Sequence, residues 1–306
     1  MALVVGEGSH GDYPPRASTP VGALSFNEEA APTPQQNPFE QAAALISQQH
    51  KHTFCSPAEV AKFVLEREGC YMLITRVSVP ALARIETAFK RRGLRAALRF
   101  TYENATESLI IKYMPGVAHE VTAIGFSSRI MDKIAQLPGH SLSSVIGLGT
   151  AQFGIPGRRS KQGDAAIKPA TRVRITDWPS LVIEVGHSES LPHLRNDARM
   201  WLLNFAGKTK IVILVKISKD LQTLHVENWQ MVLNGATRVT REFQLTVPGA
   251  VQRFKIHSIG TIDPVGTQLT IPYLTVFDVP VPNASGIIFT TNDLLILGRD
   301  IFRGLQ

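Results

Sequence analysis

Residues 181–186 read Leu-Val-Ile-Glu-Val-Gly, and residues 209–217 read Thr-Lys-Ile-Val-Ile-Leu-Val-Lys-Ile. The continuous apolar runs at their centres are typical of strands that are buried on both faces. Residues 191–205 have the length and apolar spacing of a helix, and Gly207 is its expected end. A strand, a helix and a second strand in this order predict a parallel crossover.

The elements before this unit extend the same pattern. Residues 118–136 predict a helix, residues 144–153 are strand-like, and residues 164–168 predict a short strand. Together with the crossover, these elements predict an α/β fold in which helices pack on a mixed sheet.

Composition and pattern divide the chain into four predicted parts. Residues 1–50 start with a stretch rich in proline, glycine, serine and alanine, which predicts a disordered N-terminal tail that a short helix over 40–48 would close. Residues 51–113 predict an N-terminal α+β extension, and residues 114–230 contain the core unit. Residues 231–306 predict a β-rich extension with a terminal helix.

Charge is unevenly distributed along the chain. The net charge is +7, but residues 1–50 contain one basic and five acidic residues, a net −4, which leaves +11 for the remainder. A basic folded body is suited to a polyanionic partner, although solvated surfaces also have this property.

The sequence lacks the features expected of a membrane protein or a secreted protein. No stretch approaches the ~18 consecutive apolar residues of a membrane span. Met1–Val5 is apolar but lacks the basic flank of a secretion signal. Cys55 and Cys70 are too few for a disulfide framework. We therefore expect an intracellular protein, in the cytoplasm or the nucleus, with no membrane partner.

Asp164 and Glu184 are the candidate site residues. Asp164 begins a short strand, and Glu184 lies within an apolar run where a charge is costly unless it is paired or liganded. Two such carboxylates on adjacent strands could share Mg²⁺, which prefers oxygen ligands and in phosphodiester cleavage activates a water molecule. The alternative is a salt bridge from Glu184 to Arg195 or Arg199 on the following helix.

Motifs in the same region resemble a known family. In chain order they are His119-Glu120, Gly163-Asp164-Ala165, Leu181-Val182-Ile183-Glu184-Val185-Gly186, Ser190-Leu191, Leu194-Arg195-Asn196-Asp197-Ala198-Arg199, Trp201-Leu202 and Lys210-Ile211-Val212-Ile213-Leu214. This set resembles a group of fungal proteins with a PD-(D/E)XK nuclease-like domain, and more distantly a bacterial family of predicted restriction endonucleases. The resemblance covers residues 114–229.

The resemblance implies a restriction-endonuclease-like mixed sheet flanked by helices, and a metal-dependent nuclease activity. The metal-binding acids of the family fall on Asp164 and Glu184, which would hold Mg²⁺ or Mn²⁺. Its helix acid, which can join the metal site, falls on Glu120.

One position departs from the family motif. The motif has a lysine two residues after the glutamate, where this chain has Gly186. That lysine would stabilise the attacking water and the developing charge. In some relatives the basic residue lies on the next helix, and Arg199 is then the catalytic candidate by position. Arginine stays protonated, so it could stabilise charge but could not act as a base.

A basic segment precedes Asp164. Arg158, Arg159 and Lys161 lie in a glycine- and proline-containing stretch that predicts a flexible loop over 154–161. Such a loop beside an acid pair could hold the phosphate backbone of a nucleic acid, DNA being the first expectation.

Two functions therefore remain open. The first is a Mg²⁺-dependent nuclease, favoured by the two acids. The second is a catalytically degenerate nuclease fold that only binds nucleic acid or protein, favoured by Gly186.

Overall fold

The secondary structure is described from a computed structural model, which covers residues 37–66, 69–113, 116–155, 159–204, 207–233, 246–280 and 286–306. In these ranges the α-helices are α1 Pro38–Leu45, α2 Pro57–Glu66, α3 Val79–Arg91, α4 Val117–Ala135, α5 Leu191–Asn204, α6 Tyr273–Phe277 and α7 Thr291–Gly304. The strands are β1 Lys51–Thr53, β2 Tyr71–Thr75, β3 Leu98–Glu103, β4 Ser108–Tyr113, β5 Val145–Gly147, β6 Gln152–Ile155, β7 Arg159–Gln162, β8 Ala165–Pro169, β9 Leu181–Gly186, β10 Ile211–Ile217, β11 Thr223–Leu233, β12 Thr246–His257, β13 Thr261–Asp263, β14 Leu269–Ile271 and β15 Ile287–Phe289. None of the helices in the described ranges is both long and apolar enough to cross a bilayer.

The larger sheet, called sheet B, contains the segment that was quoted first. Its seven strands have the order β13-β12-β11-β10-β9-β8-β5. Strands β9 and β10 are parallel and are joined through α5, whereas the other pairs are antiparallel. The predicted crossover and the predicted α/β class with a mixed sheet are therefore confirmed.

The two faces of sheet B are covered by different helices. On one face, Ile183 and Val185 pack with residues of α4 and α7, including Phe126 and Leu297. On the other face, Val182 packs with residues of α5 and with Trp229 of β11. Covering both faces explains why the β9 and β10 sequences are continuously apolar.

The smaller main sheet, called sheet A, has the strand order β1-β2-β4-β3-β7-β6. Strand β3 alternates, so that Leu98 and Phe100 pack with residues of α2 and α3. Side chains on a strand point alternately to opposite faces, which places Arg99 on the other face of the sheet. Arg99 is nevertheless 5% exposed, because that face is also covered.

The predicted N-terminal tail ends earlier than residue 50. Helix α1 begins after Asn37, whose side chain accepts a hydrogen bond from the backbone N–H of Phe39. Phe39 and Ala42 are buried in a cluster with Leu73 of β2 and Ile110 of β4. The apolar contacts made by the helix explain why this part of the segment is ordered, and residues 1–36 lie outside the described residues.

The interpretation of residues 154–161 as a flexible loop is wrong at both ends, because residues 154–155 belong to β6 and residues 156–158 lie outside the described residues. Residues 159–162 form β7, which pairs with both β3 and β6 and so lies inside sheet A. Arg158 lies outside the described residues. Glycine and proline favoured a loop locally, but pairing with a distant strand determined the structure.

The C-terminal residues are part of the same fold. Strand β12 pairs along the length of β11, and α7 contacts α4 and β12. Within the predicted β-rich extension, residues 269–277 form the short strand β14 followed by α6. Residues 37–306 form one compact unit.

Candidate functional site

The backbone of β8 and β9 brings the two predicted acids together. Asp164 immediately precedes β8, and its backbone N–H donates to the carbonyl of Ile183 at 3.2 Å. Its Oδ2 accepts a hydrogen bond from the backbone N–H of Val185 at 2.8 Å. Glu184 lies between these two residues on β9, so the acids occupy neighbouring antiparallel strands.

Sheet A supplies cations to these acids. Arg99 and Lys112 are directly opposite each other on β3 and β4. The Nε of Arg99 lies 3.4 Å from Asp164 Oδ1. Lys161 of β7 lies with its Nζ 3.4 Å from Glu184 Oε1.

Lys112 lies at the centre of four carboxylates. Its Nζ is 3.6 Å from Asp164 Oδ2, 3.5 Å from Glu184 Oε2, 3.3 Å from Glu189 Oε1 and 3.7 Å from Asp197 Oδ2. Two oxygens that contact the same nitrogen cannot be farther apart than the sum of their distances to it, so the four carboxylates lie close to one another. We call Asp164, Glu184, Glu189 and Asp197 the acid cluster.

The partners of Glu184 are not those expected from the sequence. Its carboxylate accepts a hydrogen bond from the indole N–H of Trp201 and pairs with Lys112 and Lys161. The expected alternative was a salt bridge to Arg195 or Arg199. Arg195 instead donates to Glu227, and the guanidinium of Arg199 lies 5.5 Å from the centre of the Trp229 ring.

Asp197 was quoted within a motif but not assigned a role. It lies on α5, where its Oδ1 accepts a hydrogen bond from Lys161 at 2.6 Å. Its Oδ2 accepts one from the hydroxyl of Tyr71 at 3.1 Å. Asp197 therefore connects α5 to two strands of sheet A.

Glu120 lies at the rim of the site. Its side chain is 53% exposed, and its Oε1 is 3.4 Å from Nη2 of Arg99. The neighbouring His119 is buried, with its Nε2 3.0 Å from Asp164 Oδ2. Glu120 therefore approaches the acid cluster through Arg99 and His119.

Burial acts on all four acids, but their neighbours differ. Each is at most 5% exposed. Burial raises the pKa of Glu184 to about 7 and that of Glu189 to about 8, although nearby lysines oppose the shift. Burial would also raise the pKa values of Asp164 and Asp197. Lys112 and His119 instead hold the pKa of Asp164 below its ordinary value. Lys161 and Lys112 do the same for the pKa of Asp197.

The donor chemistry of the acid cluster fits a hard divalent cation, which prefers carboxylate oxygens. Asp164 Oδ1 and Glu189 Oε2 are buried and have no hydrogen-bond partner among the described residues. In the same part of the chain, no group of three or more His, Cys, Asp or Glu side chains is arranged to hold a metal ion. The ammonium group of Lys112 lies between the four carboxylates instead.

The residues predicted to bind nucleic acid do not form an exposed basic loop. Lys161 is 2% exposed and belongs to the site just described, not to the surface. Arg159 forms an ion pair with the buried carboxylate of Glu103. Lys161 therefore cannot contact a phosphate backbone without a rearrangement of sheet A.

The sequence interpretation missed Lys112, Arg99 and Glu189. In β4, residues 108–113 read Ser-Leu-Ile-Ile-Lys-Tyr, where a lysine on a strand is most simply interpreted as facing water. The signal that could have identified Glu189 is its place directly after the Glu184 strand and before α5.

Comparisons with known proteins give no further assignment. No family model matches the chain, and no curated protein matches its sequence.

Proposed function

We propose that the protein is a metal-dependent nuclease that hydrolyses phosphodiester bonds, with a restriction-endonuclease-like core. The observation that carries this proposal is the convergence of two carboxylates on one ammonium group, with Lys112 Nζ 3.6 Å from Asp164 Oδ2 and 3.5 Å from Glu184 Oε2. Two acids and a lysine at one point are the groups that the motif would have provided. The strand-helix-strand unit of β9, α5 and β10 supports the same core.

Asp164 and Glu184 would hold Mg²⁺ or Mn²⁺. Such an ion, when bound, neutralises charge on the phosphoryl oxygens and lowers the pKa of a bound water. The two side chains are fixed for this task, since Val185 donates to Asp164 and Trp201 donates to Glu184.

Lys112 would perform the role of the motif lysine. Position 186 has no side chain, but an ammonium group reaches Glu184 from β4 of sheet A. A fixed positive charge next to the reacting phosphate stabilises the charge that develops in the transition state. Arg199, whose guanidinium lies 5.5 Å from the centre of the Trp229 ring, is not needed for that role.

The proposed substrate is nucleic acid, with DNA tested first. The sequence after residue 50 carries the entire positive excess of the chain, and phosphate contacts depend on such charge. Arg84, Arg91 and Arg92 line an open groove of about 590 Å³ between α2 and α3, and they give one exposed basic surface.

The direct test is cleavage of double-stranded DNA, single-stranded DNA and RNA with Mg²⁺ or Mn²⁺. We expect metal-dependent cleavage by the wild type, and none by Glu184→Gln or Asp164→Asn, because an amide lacks the negative charge that a carboxylate ligand contributes. Lys112→Ala should lower the rate by about 10²-fold, as expected for the loss of one charge-stabilising group.

The control is Asp300→Asn, which changes a half-exposed carboxylate on α7 that pairs with Arg129. It should cleave at the wild-type rate. Circular dichroism of each variant separates lost chemistry from lost folding. A folded wild type that cleaves none of the three substrates with either ion would contradict the proposal.

A second candidate is a degenerate nuclease fold that binds nucleic acid without cutting it. It is favoured by the burial of the acid cluster and by the position of Lys112 among its oxygens. This protein would bind DNA equally well with Mg²⁺ or EDTA, with an affinity that falls steeply as salt increases. Fluorescence anisotropy titrations over a range of salt concentrations measure this.

A further inference from the structure

The groove between α2 and α3 combines basic groups with room for a ligand. Arg84 and Arg91 of α3, together with Arg92 at its end, supply the guanidinium groups that line it. Small residues such as Ala58 and Ala88 line it as well, and their single methyl groups leave the groove wide, at about 590 Å³. None of the described residues that line it is acidic. We call it the α2–α3 groove.

The three arginines are placed to bind a row of negative charges. Each is exposed, and none forms an ion pair with a carboxylate among the described residues; Glu86 of the same helix instead lies 3.9 Å from Arg95. Arg84 and Arg91 are seven residues apart, so they lie on the same side of α3 and roughly 10 Å apart along its axis. That distance spans about three phosphates of one DNA strand, which rises about 3.4 Å per nucleotide.

The electrostatics of the helix end explain only part of this arrangement. Arg91 and Arg92 lie at the end of α3, where positive charge is favourable whatever its function. Arg84 lies in the first half of the helix, where that effect is absent. A solvated surface also normally mixes both signs of charge, whereas the lining of this groove has one sign. The groove is therefore better explained as a site for a polyanion.

The α2–α3 groove and the acid cluster lie on different sides of sheet A. Helices α2 and α3 pack on the face of the sheet that contains Leu98 and Phe100. Arg99 and Lys112 occupy the opposite face, where they contact Asp164. The arginines of the groove face solvent, so a layer of helices about 10 Å across and the sheet itself separate them from the acid cluster. A phosphate in the groove cannot touch the acid cluster.

We propose that the α2–α3 groove binds the phosphate backbone of double-stranded DNA and anchors it on the side of sheet A opposite the acid cluster. This inference goes beyond the proposed function, because it assigns a second site that binds DNA without contacting the bond to be cut. Guanidinium groups bind phosphate oxygens through paired, charge-assisted hydrogen bonds. Contacts with the backbone carry no sequence information, so the binding is independent of sequence and falls with increasing salt.

The test is a fluorescence anisotropy titration of a labelled DNA duplex with the full chain, in EDTA and over a range of salt concentrations. One variant combines Arg84→Ala, Arg91→Ala and Arg92→Ala. It should bind at least ~10-fold more weakly, and its slope of log K against log salt should be flatter by about 2–3, because each phosphate contact contributes about 0.9. A second variant replaces the same three arginines by lysine. It keeps the charges, so its slope should stay within about 1 of the wild-type slope.

The matched control combines Lys255→Ala, Arg299→Ala and Arg303→Ala. These are exposed cations on β12 and α7, so the control loses the same total charge outside the groove. Its affinity should change by less than about threefold, since it loses no direct phosphate contact. Circular dichroism shows whether each variant is folded. Equal losses of affinity in the alanine variant and the control would overturn the inference, because the net charge and not the groove would then bind DNA.

The remaining outcomes separate this inference from the proposed function. If the wild type cuts DNA and the alanine variant binds and cuts it equally well, the inference is wrong and the nuclease proposal stands. If the alanine variant loses binding and the wild type cuts no substrate, the inference stands and the nuclease proposal is wrong. Binding of poly-L-glutamate in preference to the duplex, through the same arginines, would indicate an acidic protein as the partner and would overturn the inference. A wild type that binds no duplex at low salt would do the same.

Discussion

Two buried groups of charged residues in this protein differ in the pKa values of their carboxylates and in the partners that those carboxylates have. Glu227 of β11 is fully buried, and its carboxylate accepts hydrogen bonds from Arg195 and from the indole N–H of Trp229. His225 and Arg253 lie within 3.4 Å of the same carboxylate. Burial would raise its pKa, but hydrogen bonds from His225, Arg195 and Trp229 lower it to about 2.

The acid cluster is similarly buried, but its four carboxylates share Lys112 as a common partner. Burial raises the pKa of Glu189 to about 8, and an oxygen of its carboxylate lacks a hydrogen-bond partner among the described residues. Glu227 is thus a carboxylate with enough donors to serve structure alone. The acid cluster instead contains carboxylates whose pKa values burial raises, which is the property that distinguishes a candidate site from a structural ion pair.

The largest predicted effect is that of removing the central cation from the acid cluster. Lys112→Met should lower the free energy of unfolding by about 3–5 kcal/mol at pH 7 in EDTA, because four buried carboxylates lose a shared partner. Arg195→Met should cost less, since Glu227 keeps the donors Trp229 and His225. Urea unfolding followed by circular dichroism measures both values.

The control for this prediction is Lys133→Met. Lys133 pairs with Asp293 near the surface, so its loss should cost at most about 1 kcal/mol. An equal cost for Lys112→Met and Lys133→Met would show that Lys112 is not holding the carboxylates together.

Sequence patterns predicted the parts of the fold that depend on local information. The continuous apolar runs identified β9 and β10, and the pattern between them identified α5. The same runs made Glu184 conspicuous, because a carboxylate among buried residues requires a partner. Asp164 followed from its place at the start of the preceding strand.

The partners of these acids could not be predicted in the same way, because they depend on contacts between distant segments. Arg99 lies on β3, whose sequence alternates apolar and polar residues, a pattern that usually indicates one solvated face, and Lys112 lies opposite it on β4. That face is instead covered by α1 and α5, and its cations contact Asp164 and Glu184 of sheet B. Lys161 was assigned to a loop, since its pairing with Thr101 of β3 has no local signal.

The second prediction concerns the pH dependence of stability in EDTA. The pKa of Glu189 rises from 4.5 to about 8 on folding, so the unfolded chain releases this proton at lower pH than the folded chain does. Rising pH between these values therefore destabilises the wild type, by at most about 1.4 kcal/mol per pH unit for this group. Glu189→Gln should lack that loss, so its stability relative to the wild type should increase from pH 5 to pH 8.

Glu227→Gln gives the contrasting profile. Because the folded pKa of Glu227 is lowered to about 2, its contribution is complete above the ordinary value of 4.5 and is lost only as the pH falls towards 2. The difference between Glu227→Gln and the wild type should therefore be constant from pH 5 to pH 8. Urea unfolding at each pH compares the two variants, and parallel profiles would refute the distinction between the two groups.

The smallest predicted effect concerns Arg199, which the sequence placed in the catalytic site. Its guanidinium lies 5.5 Å from the centre of the Trp229 ring, and Trp229 donates to Glu227, so Arg199 is associated with the structural ion pair. Arg199→Ala should lower the free energy of unfolding by about 1 kcal/mol, in keeping with the loss of one cation–π contact at a partly exposed position. It should leave the affinity for Mn²⁺ and any cleavage rate within about twofold of the wild type, since Lys112 is the cation that contacts both Asp164 and Glu184.

Arg199→Lys is the matched variant, because it keeps the charge while losing the planar guanidinium group. The contradicting outcome is a loss of cleavage by about 10²-fold in Arg199→Ala, with unchanged folding and with rescue by Arg199→Lys. It would show that Arg199 on α5, and not Lys112, performs the role of the motif lysine.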